Sequence, residues 1–322
     1  MLFCTPLWGQ NCSELVQDAL SSYELGDFNK ALTAVSSCVN SENLDDRWSA
    51  LRVQALAHLA LGNSKLATEA AREMKALQPT YKPDVLSDPK ELRVLLDGIY
   101  VIPKFILGVN LNYGTNWSFP RILGEFNPTS SVKNYNSEFG HQFGFNVGYN
   151  FSDKHGVELG LYQKSLRFST DFKYEGVSIE TEEELNNIAL PVLYRFTLLD
   201  LDRFVVTAKA GGYGLLRYSS YNDFKRYSPE GSEELVRYTS DSRRNLWNYG
   251  ITGGLGLWYK LRVSHFSVDL LYNKGLTNIT RGENRYDNSR LIYNYYYLDD
   301  DLQIDDFSVV FGYHLYLNYK VK

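Results

Sequence analysis

From Lys104 onward the chain alternates between apolar and small or polar residues. Phe105, Leu107, Val109, Leu111 and Tyr113 fall on one side of an extended strand, with Ile106, Gly108, Asn110, Asn112 and Gly114 on the other. Phe143, Phe145, Val147, Tyr149 and Phe151 repeat the pattern against Gly144, Asn146, Gly148 and Asn150, and Phe307 to Val321 carries it over eight odd-numbered positions. Breaks in the alternation predict eight strands, near 104–114, 139–151, 156–174, 177–197, 203–222, 245–260, 265–281 and 302–321. Before residue 100 the pattern is helical, and 11 of the 14 alanines lie there, while 23 of the 25 tyrosines and 20 of the 24 glycines lie at or after it. The chain therefore divides into a helical part, 11–100, and a β part, 101–322, preceded by ten residues of different character.

Period two alone allows a soluble sandwich as well as a membrane barrel. Three features favour the barrel. The polar sides of the strands are rich in Gly and Asn, which suit a tight lumen better than a water-facing sheet. Tyr113, Tyr149, Tyr194, Tyr259, Tyr272 and Tyr319 sit near predicted strand ends, where aromatic girdles meet the lipid boundary. Connections also alternate: 152–155, 198–202 and 261–264 are short, while 115–138, 223–244 and 282–301 are long and polar. An even number of strands puts both ends of the barrel on the short-turn side, so the helical part is expected in the periplasm. The β part resembles the small OmpA-like and PorT-like outer-membrane barrels of Gram-negative bacteria, through NNIALPVLYRF at Asn186 to Phe196 and FGYHLYLNYKVK at Phe311 to Lys322. Ending on Lys322 departs from the commonest barrel terminus, an aromatic residue.

In the helical part, an offset of 36 superimposes Leu15 on Leu51, Ala19 on Ala55, Gly26 on Gly62 and Ala31 on Ala67. Each set describes a helix, a tight glycine turn and a second helix, with small alanines allowing close helix approach. With GDF at Gly26 to Phe28 and LGN at Leu61 to Asn63 as turns, 12–81 resembles the tetratricopeptide repeat. It departs from that family in its step, which is about 34 residues there, and in Ser22 and His58 at aromatic positions. The run Ser87 to Ile99, with Pro89 at a helix start, is expected to cap the stack. Met1 to Gln10 reads as the remnant of a secretory signal, or alternatively as an apolar extension on the first helix. Secretion would leave Cys12 and Cys38 as an even pair in an oxidising compartment, and antiparallel pairing of the first two helices predicts a disulfide between them, with two buried thiols as the alternative.

Composition narrows function further. A net charge of -5 without a basic block excludes a nucleic-acid partner. Nothing offers the roughly 18 successive apolar residues of a membrane helix. His58, His141, His155, His265 and His314 lie in separate elements without metal spacing, and GxSxG, Walker A and CxxC motifs are missing, so neither a cofactor nor catalysis is indicated. Glu158, Lys164, Arg195, Lys209, Lys260 and Asp269 share the lumen parity and predict a buried ion-pair network; a narrow ion path is the sharper alternative. Asp299, Asp300, Asp301, Asp305 and Asp306, beside the tyrosines of 293–297, are read as a solvated acidic tip in preference to a Ca²⁺ site. The expected function is a non-enzymatic barrel in outer-membrane lipid, anchoring a periplasmic domain that docks an envelope protein, as an accessory to secretion or assembly. The alternatives are a barrel that binds a ligand or surface through its long loops and, last, a loop-borne lipid-modifying enzyme.

Overall fold

The computed structural model describes residues 11–126, 132–174, 176–201, 203–229 and 231–321. Residues 1–10, on which the expected signal remnant and Cys4 fall, and the terminal Lys322 lie outside the described residues. The described chain forms two compact units: one of N-terminal helices together with the last residues of the final strand, and one spanning Lys104–Leu317.

The helical unit contains α1 (Cys12–Glu24), α2 (Phe28–Val35), α3 (Leu44–Ala60), α4 (Ser64–Leu77) and α5 (Lys90–Asp97). Asn11, Asp27 and Asn43 cap the first three helices by accepting from backbone N–H groups of their first turns. α1 and α3 end alike. Gly26 (φ +82°) and Gly62 (φ +76°) adopt the left-handed conformation. Asp27 N donates to Ser22 O at 2.9 Å, and Asn63 N to His58 O at 2.8 Å, the same bond 36 residues on. Ala19, Ala31, Ala55 and Ala67 are fully buried, Leu51 is nearly so, and Leu15 is half-buried against the core of Val16, Ala19, Ala31 and Val35. Cys12 and Cys38 form a disulfide with Cα atoms 5.6 Å apart.

The β unit contains β1 (Val101–Gly124), β2 (Val132–Ser137), β3 (Phe139–Asn150), β4 (His155–Tyr174), β5 (Val177–Asp200), β6 (Phe204–Ser228), β7 (Gly231–Thr239), β8 (Trp247–Lys260), β9 (Ser264–Gly275) and β10 (Asp301–Val321), with a short α6 (Ser289–Tyr295). Eight strands pair in the order β4-β3-β1-β10-β9-β8-β6-β5, and β5 also pairs with β4, so each of the eight has a neighbour on both sides. The long connections are more ordered than their polarity suggested. β1 runs on to Gly124, β2 pairs with β4, and β7 pairs with β6. Polar loop composition hid them because these strands form beyond the apolar belt, where both faces of a strand accept polar residues.

Burial is inverted relative to a soluble sandwich. Val109, Phe145, Leu161, Val192, Phe204, Leu255, Leu270 and Phe311, one from each of the eight strands, are all exposed by more than two fifths. Asn110, Gln142, Asn146, Glu158, Arg195, Lys209 and Asp269 are buried on the opposite face. The outward face is apolar and these buried inward residues are polar or charged, an arrangement that is stable when the outer solvent is lipid.

Candidate functional site

The inward face of β5 sets out the lumen in order along a single strand: Arg195, then Ala189 and Leu185, then Glu183. Each marks a layer. In the first, Lys209 Nζ donates to Glu158 Oε2 and to Asp269 Oδ2, both at 2.9 Å, and Arg195 Nε lies 3.1 Å from Glu158 Oε1. Two cations thus face two carboxylates and the group sums to zero, the condition under which charges survive removal from water. Arg195 also stacks over Trp258, its guanidinium carbon 4.3 Å from the ring centre. Trp258 stacks on His265 at 4.1 Å, and His265 on His314 at 4.4 Å with the rings nearly parallel. His265 and His314 are direct partners between β9 and β10, so two histidines 49 positions apart share an inward rung. Sequence spacing had kept them apart; their common inward parity on neighbouring strands was the available signal.

Lys164, expected in this network, is buried further along and pairs with Asp306 at 2.8 Å, which also accepts from Asn273 and Ser308. Lys260 departs from the expectation. It carries inward parity, but it is the last residue of β8, its side chain is 29 % exposed, and it pairs with Asp200 at the strand ends. Parity stops predicting burial where a strand leaves the wall.

The second layer is apolar: Leu166, Leu185, Ala189, Leu215, Ile279 and Ile304 pack together inside the ring. The third is again ionic. Arg244 donates to Glu183 Oε2 at 2.5 Å and Asp299 Oδ1 at 2.8 Å, and Arg243 reaches Asp299 Oδ2 at 2.7 Å. Lys133 lies 3.0 Å from Asp300 Oδ2, which also accepts from the Tyr135 hydroxyl at 2.7 Å. Burial alone would raise the pKa of Asp299, but Arg244 and Arg243 outweigh it and hold the carboxyl below its usual range. The acidic run is therefore no solvated tip. Asp299, Asp300 and Asp306 are buried, Asp301 binds Arg285, and Asp305 accepts from Tyr272 and Gly275 N. Their partners come from other strands, which is why the run looked unneutralised in sequence. Among the described residues no group of three or more His, Cys, Asp or Glu side chains is placed to hold a metal ion.

In the helical unit, Asp88 is buried and gathers Arg52 Nε at 3.1 Å, Asp84 N at 2.9 Å and the Tyr81 hydroxyl at 2.5 Å. This fastens the segment before α5 while leaving Val85 and Leu86 exposed, Leu86 by 95 %. Burial, then the hydrogen bond to Asp88, pushes the Tyr81 phenol up to about 12. Asp88 is held below its usual value because the Tyr81, Asp84 and Arg52 bonds outweigh its burial.

Residues 104–281 match the family described as outer membrane protein beta-barrel domain. The chain belongs to that family. As a member of the outer membrane β-barrel family it is placed in the outer membrane of a Gram-negative bacterium, in contact with its lipid. Among solved structures it is similar to the outer membrane protein OprG of Pseudomonas aeruginosa, at 17% identity over 68% of this chain and 98% of that one, TM-score 0.32. It is similar also to Ail, the attachment invasion locus protein of Yersinia pestis, at 13% identity over 66% and 99%, TM-score 0.28. Neisserial surface protein A matches at 11% identity over 68% and 99%, TM-score 0.32. No curated protein matches the sequence.

Proposed function

We propose that this family member is a closed, plugged eight-stranded barrel that anchors a periplasmic helical domain, which docks another protein of the envelope. The observation that carries the reading is the filled lumen: two neutralised ionic layers with an apolar layer between them leave a wall for holding something, not a conduit. A periplasmic position for the helices is supported by the even strand number, with which the chain enters and leaves on the short-turn side. The paired glycine turns of α1 and α3 support a tetratricopeptide-like stack, and such stacks take extended or helical peptides. Val85, Leu86 and Val94 are exposed apolar side chains on that unit, and Asp88 pre-organises the segment bearing the first two. An accessory part in secretion or envelope assembly fits this arrangement, and no catalytic step is invoked.

Site-specific photo-crosslinking from position 86 in intact cells tests the docking. A discrete crosslinked partner that disappears on deletion of 12–81, with the heat-dependent gel mobility of the barrel retained, is the expected result. The same crosslinks after deletion, or none from the intact protein, overturn it.

A second reading follows from the last long loop. Leu291, Tyr295 and Tyr297 anchor it in a core with Phe172, Ile179 and Phe224, while Tyr286 and Tyr293 stand exposed. A pinned loop with projecting tyrosines suits ligand or surface binding. Replacing 282–296 by a short turn separates the two readings, because it abolishes surface binding under this one and leaves the periplasmic crosslink unchanged under the first.

A further inference from the structure

We infer that the short-turn end of the barrel is a collar that selects anionic phospholipid headgroups; this rests on the proposed orientation, in which that end meets the inner leaflet. Each of the three short turns repeats one arrangement. The β3–β4 turn exposes Lys154 beside Phe151, the β5–β6 turn exposes Arg203 between Leu201 and Phe204, and the β8–β9 turn exposes Arg262 between Leu261 and Val263. Lys104, exposed at the start of the β1 wall, lies 5.6 Å from the Phe105 ring. None of these four cations has an ion-pair partner among the described residues, whereas Lys260 at the same end is taken up by Asp200. At the opposite end the buried cations Lys133, Arg243, Arg244 and Arg285 are paired with carboxylates of the chain itself, while the exposed Lys173, Lys225 and Arg290 there, like the turn cations, have no ion-pair partner among the described residues.

Their distribution argues for lipid over a protein partner. In the ring order β4-β3-β1-β10-β9-β8-β6-β5, Lys154 lies between the first two strands, Lys104 on the third, Arg262 between the fifth and sixth, and Arg203 between the last two. One protein docks on one side, but a leaflet surrounds the barrel. Apolar neighbours buried among acyl chains, with a long cationic side chain reaching outward, place charge at the level of the headgroup phosphates. Asp153 and Asp202 precede Lys154 and Arg203 in sequence and leave the four cations in excess by two charges, and an excess of cations at that level favours phosphatidylglycerol over phosphatidylcholine.

The test uses the full chain in vesicles of phosphatidylcholine with a minority of phosphatidylglycerol, and electron paramagnetic resonance of each lipid carrying a spin label. The fraction of label immobilised by protein gives the selectivity. A preference for phosphatidylglycerol, up to about fivefold for each cation engaged, is expected for the wild type. It should vanish at high salt and in Lys104→Gln/Lys154→Gln/Arg203→Gln/Arg262→Gln, and persist in Arg121→Gln/Lys274→Gln, which alters exposed cations on the outer faces of β1 and β9. Equal selectivity for both lipids in a protein that inserts and shows the heat-dependent mobility shift overturns the collar alone. Failure to insert into pure phosphatidylcholine with that shift overturns the membrane-barrel reading and the collar with it.

Discussion

Replacing Lys209 by Met removes the central cation of the first lumen layer while keeping most of its volume. The four charges Glu158, Asp269, Arg195 and Lys209 then sum to minus one, in a site where Lys209 and Asp269 are each no more than 6 % exposed. Deleting one partner of a buried pair costs about 3–5 kcal/mol, chiefly because the remaining charge is stranded. Even the lower figure lowers the folding equilibrium about a hundredfold. Adding Asp269→Asn restores neutrality and leaves the Arg195–Glu158 pair intact, so the double variant should be more stable than Lys209→Met alone, with a coupling of about 2–3 kcal/mol. Denaturant titration in lipid vesicles, read by the gel mobility of folded and unfolded forms, measures all four corners of the cycle. The reasoning is refuted if Lys209→Met unfolds with the wild type, or if the two substitutions add without coupling.

Four further outcomes follow from the same geometry. In planar bilayers the intact protein should show no stepwise conductance, since Leu166, Leu185, Leu215 and Ile304 interrupt any wetted path; regular single-channel openings would contradict the plugged lumen. Reducing the Cys12–Cys38 bond, or Cys12→Ser/Cys38→Ser, should destabilise the helical unit by about 3 kcal/mol, seen as a lower midpoint by circular dichroism with the barrel's mobility shift unchanged. Gly26→Ala and Gly62→Ala should each cost about 1 kcal/mol through backbone strain alone, because an added Cβ meets nothing within 4 Å at either position. Tyr81 titrates higher in the folded unit, so its contribution is whole below pH 10 and is lost as pH rises toward about 12. Asp88, depressed, contributes above its unfolded value of 3.8 and loses that contribution as pH falls through its lower folded value. Tyr81→Phe should flatten the alkaline arm of a stability-versus-pH curve and leave the disulfide intact.

Alternation was legible because a strand crossing lipid must keep every second residue apolar: Phe105 to Tyr113 and Phe307 to Val321 announce the wall without any knowledge of their neighbours. The same parity put Glu158, Arg195, Lys209 and Asp269 inside, though it could not say that Lys164 turns to Asp306 instead. The third layer was illegible for a different reason. Glu183, Arg244 and Asp299 lie 61 and 55 residues apart, and Lys133 and Asp300 farther still. Only strand order brings them together, and parity is silent in the loops that carry Arg244 and Asp299. The glycine turns of the helical unit were readable since a left-handed residue leaves a local mark, whereas Asp88 recruits Arg52 from α3 across 36 positions and leaves none.

The outward face of β5 changes character within a few residues, from Tyr194, Val192 and Leu190 to Glu184, Glu182 and Glu180. The stretch from Asn186 to Val177 is about 30 Å of strand, or about 23 Å of height at a typical barrel tilt. β4 and β6 rise beside it in register up to the hairpin at Gly176, and β2 and β7 widen the sheet on either side. In the proposed orientation, with the helical domain periplasmic, this laddered stretch is what the cell presents to its surroundings. An antibody or phage arriving from outside meets a laddered sheet whose inner side is cemented by Glu183 and Arg244. Escape from such a binder has to come from exchanging the carboxylates and basic side chains on the outer face of this stretch, because lengthening or shortening its strands would pull apart the ionic layer beneath.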